Sequence, residues 1–187
     1  MASVTILTQA GKSAGSADLA DAVFGVEPNM SVMHQVVTAQ LAAKRAGTTR
    51  APGWVGGGIA HGPKPRDYSQ RTPKKMIRLA LASALSDRAA DGNVFVVDKW
   101  EFESPKTKQA IAALGAIGAE GKVLMVFGDD DANAWKSFRN LDGVHCLHAG
   151  ELNTYDVLNA DVVVFTEATL PTGESAAPGS DDSSEEE

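Results

Sequence analysis

Asp91-Gly92-Asn93-Val94-Phe95-Val96-Val97 is the stretch that decides the fold class. The Asp-Gly pair makes a turn, and the unbroken apolar run behind it predicts a strand buried on both faces, as in a parallel sheet covered by helices. The pattern returns at Val123-Leu124-Met125-Val126-Phe127, after Gly121, and at Val162-Val163-Val164-Phe165; Val144-His145-Cys146-Leu147 reads as a further strand. Helical patterns alternate with these runs. Met76, Ile77, Leu79, Ala80, Leu81, Ala84 and Leu85 form a broad apolar face, with Pro73 suited to the first helical position. Ser104-Pro105 opens a second helix with Ala110, Ile111, Leu114 and Ile117 inward. Asp129 to Asp131 start a short one through Trp135 and Phe138, and Asn153 to Leu158 form another. Strand–helix–strand alternation with apolar strands predicts an α/β fold with a mainly parallel sheet flanked by helices.

Upstream, Val4-Thr5-Ile6-Leu7 reads as a short strand followed by small and polar residues. A helix is expected from Ser31, its N-cap, through Val32, Val36, Val37, Ala39 and Leu41 towards Lys44-Arg45, with Gly47 as its stop. Residues 48–72 break the pattern, being rich in Gly, Pro and basic residues with little aliphatic periodicity. A loop of about 25 residues inside a compact domain is uncommon and usually functional. The expected organisation is one globular α/β domain (1–47 and 73–170), an extended basic loop (48–72) and an acidic tail (171–187) with the composition of disorder.

The chain has 187 residues and 43% apolar content, enough for one core. No apolar run approaches the roughly 18 to 20 residues that span a bilayer, and no secretory signal is visible, so no membrane partner is expected. The single cysteine, Cys146, has no internal disulfide partner and fits a reducing cytoplasm. The formal net charge is −7, but residues 167–187 carry all of it and the body, 1–166, sums to zero. Within the body, the window 44–78 holds nine cations against Asp67 alone. The average hides a basic patch.

Motifs for enzyme chemistry fail on spacing. Gly11-Lys12-Ser13 resembles the end of a phosphate loop, but the required upstream glycine falls at Ile6. Gly56-Gly57-Gly58 does not join a buried strand to a helix, as a dinucleotide fingerprint must. Asp129-Asp130-Asp131 is better explained by capping of the next helix than by a metal. His145 and Cys146 point to opposite faces of a strand, so they do not chelate together, and Cys146 reads as a small buried hydrophobe. No nucleophile–base pair emerges. Neither catalytic residues, nor a resident metal, nor a cofactor, nor a small-molecule substrate is expected.

The loop and the helix after it point elsewhere. Lys44, Arg45, Arg50, Lys64, Arg66, Arg71, Lys74, Lys75 and Arg78 are spaced through Gly and Pro, a pattern that can track a folded phosphate backbone while main-chain amides approach closely. Trp54, His61 and Tyr68 offer rings on which unpaired bases stack. Lys74, Lys75 and Arg78 sit near a helix start, where the macrodipole disfavours cations unless an external anion compensates. A solvated basic face is the plainer explanation of the same residues, and the combination with the ring-bearing loop favours RNA.

Gly56-Gly57-Gly58, His61-Gly62-Pro63-Lys64-Pro65-Arg66-Asp67-Tyr68-Ser69 and Lys74-Lys75-Met76 resemble the universal large-subunit family of ribosomal protein L-four in its bacterial form. Flanking support comes from His34-Gln35-Val36-Val37, from Ala82, Ala84, Leu85 and Ser86, and from Ser104-Pro105-Lys106-Thr107-Lys108. The resemblance covers nearly the whole folded body. It implies a non-enzymatic structural constituent of the ribosome with a Rossmann-like domain. On the resemblance, that domain is expected to bind large-subunit rRNA during assembly beside neighbouring large-subunit proteins, in the cytoplasm. It further implies a long basic extension reaching the peptide exit tunnel. The chain departs from the family there: Ala46-Gly47-Thr48-Thr49-Arg50 passes almost directly into the Arg-Ala-Pro element, without the Lys/Arg/Gly-rich stretch that members insert. The tunnel-lining role is therefore in doubt. The other function class is an extraribosomal regulatory module docking on a nuclease or a transcription factor.

Overall fold

Apolar runs too short and too β-branched for helices lie side by side as strands, and amphipathic helices cover both of their faces. The computed structural model describes residues 3–47, 53, 55–58, 61–62 and 64–172. In chain order the elements are β1 (Ser3–Leu7), β2 (Ser13–Asp18), α1 (Asp21–Phe24), α2 (Met30–Ala43), α3 (Lys74–Ala90), β3 (Val94–Val97), α4 (Thr107–Ile117), β4 (Val123–Phe127), α5 (Ala132–Phe138), β5 (Val144–His148), α6 (Thr154–Asn159) and β6 (Val162–Thr166). The six strands form one sheet in the order β2-β1-β3-β6-β4-β5. All neighbours pair in parallel except β1 and β2, which are antiparallel. The expected α/β class with a mainly parallel sheet is what the chain forms.

Alternate residues of the strands feed two cores. Leu124, Val126, Val163 and Phe165 face α1, α2, α3 and α6, where Phe24, Val36, Ala80 and Val157 meet them. Met125, Phe127, Cys146 and Val164 face α4 and α5, packing on Ala110, Ala113 and Phe138. Phe127, Phe138 and Phe165 are fully buried, each contributing about 1.5–3 kcal/mol from removal of apolar area from water. Cys146 is one of these core residues, and burial pushes its thiol up to about 12.

Several boundaries differ from the sequence expectation for identifiable reasons. The cap of α2 is Asn29, whose side chain accepts from the Val32 amide at 3.1 Å, rather than Ser31. Pro73 stands one position outside α3, as its N-cap residue. α4 starts at Thr107, and Ile111 faces solvent while Ala110, Ala113 and Ile117 turn inward. Asp131 precedes α5 without capping it; its carboxylate instead accepts from the Gly128 amide at 3.2 Å. Burial raises the pKa of that carboxyl. β2 and α1 had no signal: Ser13–Asp18 is a run of small residues, almost wholly exposed, at the edge of the sheet. Gly11 turns the chain from β1 into β2 in the left-handed region, at φ 75 and packed against the Ala116 carbonyl.

Candidate nucleic-acid interface

The chain leaves α2 at Lys44 and returns to the body at Arg66, and these two passages touch. The Arg66 amide donates to the Gly47 carbonyl at 3.2 Å. Gly47 lies at φ 64, and a Cβ there would collide with the Arg66 carbonyl oxygen, so the pinch requires glycine. Above it, the guanidinium groups of Arg45 and Arg66 lie over the Tyr68 ring, 4.2 and 4.4 Å from its centroid. A hydrogen bond from Arg66, then the charges of Arg66 and Arg45, hold the Tyr68 phenol below its usual pKa. Two cations from either side of the loop thus share one ring, the arrangement of a loop pin.

Asp67 is the one acid of the basic window, and its carboxylate is turned onto its own chain. It accepts from the Ser69 amide at 2.9 Å and from the Ser69 hydroxyl, and these bonds lower its pKa. Among the described residues it therefore neutralises none of the surrounding cations by direct pairing. Lys64 and Arg71 are exposed. Lys74, Lys75 and Arg78 project from the first turns of α3 while Met76 and Ile77, on the opposite side, pack onto the core. That helix start has no side-chain cap and no acidic residue in its first turn. Its free amides and positive dipole end add to the three cations. Among the described residues, none of these three has an ion-pair partner.

The sequence-derived site residues thus divide into groups. Arg45, Arg66 and Tyr68 come together at the loop base, and Lys74, Lys75 and Arg78 share the start of α3. Lys44 turns aside: its ammonium lies 4.8 Å from the centroid of the Tyr155 ring on α6. Arg50 and Trp54 lie outside the described residues, as does the acidic segment 173–187. The described part of the loop, 53, 55–58, 61–62 and 64–72, contains no helix or strand. His61 is exposed and takes a left-handed conformation, at φ 57.

The opposite possibility, a nucleotide-binding enzyme, loses its geometric basis. In doubly wound folds the first strand leads into a helix whose N-terminus receives the phosphates; here β1 leads through a tight hairpin into β2. Among the described residues no three His, Cys, Asp or Glu side chains converge as metal ligands, and no helix is long and apolar enough to cross a membrane.

Residues 44–175 match the model of the ribosomal protein L4/L1 family. The chain is 49% identical to the large ribosomal subunit protein uL4 of Mycolicibacterium smegmatis, covering 89% of this chain and 92% of that protein. It is 46% identical to the uL4 of Mycobacterium sp. (strain KMS), over 89% and 90%, and 45% identical to that of Mycobacterium bovis (strain BCG / Pasteur 1173P2), over 89% and 88%. The first alignment spans 197 positions, whereas 89% of this chain is about 166 residues, so roughly 30 of those positions have no counterpart here. The chain belongs to the ribosomal protein L4/L1 family, structural and non-enzymatic constituents of the ribosome.

Proposed function

We propose that this chain binds large-subunit rRNA during assembly of the large subunit, with the basic window as its principal contact. Lys44, Arg45, Arg50, Lys64, Arg66, Arg71, Lys74, Lys75 and Arg78 meet phosphates, and Trp54 packs against the RNA. Tyr68 acts by holding the loop base in shape. The observation that carries this reading is the uncompensated charge at the start of α3: three exposed cations on an uncapped positive helix end, without an acid in the first turn. A helix end of that kind is stabilised by an external anion. The body, 1–47 and 73–170, is one folding unit with 48–72 as its RNA-binding loop, a reading supported by a core cluster that gathers residues from Leu19 to Leu170. Neighbouring large-subunit proteins are its protein partners, and its location is the ribosome in the cytoplasm.

The test is a salt titration of binding to large-subunit rRNA. Each phosphate contact contributes roughly −0.7 to −0.9 to the slope of log affinity against log salt. Replacing Lys74→Glu and Lys75→Glu together should flatten that slope by about 1.5 and weaken binding across RNA sequences. An unchanged affinity overturns the assignment. Sedimentation of the tagged chain through a high-salt gradient tests incorporation: migration with large subunits supports it, and migration as free protein moves the regulatory-module reading to first place.

A further inference from the structure

Beside the edge strand β5 runs an open groove of about 400 Å³ whose lining has the chemistry of a nucleotide. Its floor is the half-buried ring of Tyr155, with the Lys44 ammonium over it. Lys122 borders it, and His145 and Asn159 complete the rim. The one acid in the lining, Asp156, is occupied: it accepts from the Asn153 amide nitrogen at 2.6 Å and lies 3.6 Å from the His145 imidazole. Nothing in the basic-window reading uses this groove except Lys44.

The groove is held open by the backbone. The Lys122 amide donates to the Asp161 carboxylate at 2.9 Å, while its carbonyl accepts from the amides of Asp161 and Val162 at 2.8 and 3.1 Å. Lys122 is therefore fixed at the start of β4. On the other side, the Gln40 side chain accepts from the Tyr155 amide at 3.3 Å. Gln40 and Lys44 are four residues apart, on one face of α2, so the last turn of that helix grips Tyr155 both by its backbone and by its ring.

We propose that this groove is a subsite for a single unpaired nucleotide of RNA, with the base stacked on Tyr155 and its phosphate between Lys44 and Lys122. The volume falls within the range of small-ligand pockets, and a ring flanked by ammonium groups is how single strands are held without sequence preference. Lys44 reaches the phosphate by rotating its four-carbon stem off the ring. The adjacent Arg45 belongs to the loop base, so the basic window and the groove are joined by consecutive residues of the chain. The inference rests on the RNA-binding reading above and deepens it.

The test uses the full chain and a fluorescently labelled single-stranded RNA of about 12 nucleotides, with the duplex of the same sequence as its counterpart. Tyr155→Leu should weaken single-strand binding about tenfold, the loss of one base–aromatic stack. Tyr155→Phe, which keeps the ring, should bind as the parent chain does, and Lys122→Ala should lose a few-fold and lower the salt slope. Duplex binding should not respond to Tyr155→Leu. Ultraviolet cross-linking should place an adduct on the peptide containing Tyr155. Equal losses on single strand and duplex, or unchanged affinity in both Tyr155→Leu and Lys122→Ala, overturn the groove. If those variants are silent while Lys74→Glu with Lys75→Glu still weakens binding, the groove fails and the RNA-binding reading stands. If the parent chain binds neither RNA, both fail.

Discussion

The Ser86 hydroxyl donates to the Val23 carbonyl at 3.1 Å and, in return, accepts from the Val26 amide at 3.0 Å, so one buried side chain on α3 closes the end of α1 sixty residues earlier. That bridge gives a physical reason for a serine within an otherwise apolar helix face. Replacing Ser86→Ala removes the partner of a buried carbonyl and of a half-buried amide. The expected loss is about 1–3 kcal/mol of stability, read as a lower urea midpoint with an unchanged slope, and RNA affinity of the folded chain should not move.

Gly47→Ala tests the loop base. A side chain at φ 64 costs on the order of 1–2 kcal/mol, and here it also drives into the Arg66 carbonyl. We expect the Arg45–Tyr68–Arg66 pin to loosen. Trypsin should then cut faster between Arg45 and Arg71, and rRNA should bind more weakly while the melting temperature of the body shifts only modestly. Unchanged proteolysis would show that the pinch does not hold the loop.

Alkaline pH should destabilise the body through Cys146. Burial raises its folded pKa to about 12, whereas an unfolded thiol ionises near about 8.5. Between those values the unfolded state binds fewer protons than the folded one, so stability falls as pH rises from about 9 towards 12. Below pH 8 the contribution is fully present. Denaturation midpoints followed from pH 7 to 10.5 should show this decline, and Cys146→Ala should remove its share. A thiol reagent should label Cys146 only on unfolding.

Removing residues 173–187 should strengthen RNA binding. That segment holds six acids and no Lys or Arg, so a chain ending at Thr172 carries a formal charge of −1 in place of −7. The gain should be largest at low ionic strength and vanish near 1 M salt, where screening acts within about 3 Å. An equal affinity of both chains at low salt would show that this charge does not act on the RNA site.

The elements that bury most were the most legible. Val123–Phe127 and Val162–Thr166 are buried at every position, and their unbroken apolar runs announced it. β2 buries almost nothing, so Ser13–Asp18 carries no periodicity to read; it is a strand only because β1 offers it an edge. Spacing alone predicts Ile111 inward, yet small Ala110 and Ala113 take the inward face of α4 and leave it exposed. The basic window was visible as charge, but its internal pairing was not: nothing in the order of residues says that Tyr68 carries Arg45 and Arg66 together. The groove was hidden further, because Lys44, Lys122 and Tyr155 are brought together from three distant segments.

The contact between Gly47 and Arg66 has a consequence for how such a chain can vary. Among the described residues, the ends of what lies between them meet at a hydrogen-bonded junction, so its length is a nearly free parameter. Closing a loop costs only about 0.6 kcal/mol more for each doubling. Losing or regaining some thirty residues there would change the stability of the body by less than about 1 kcal/mol. The reach of the protein into its surroundings can therefore be retuned by insertion or deletion at one seam, while the sheet, the helices and the α3 cations stay as they are.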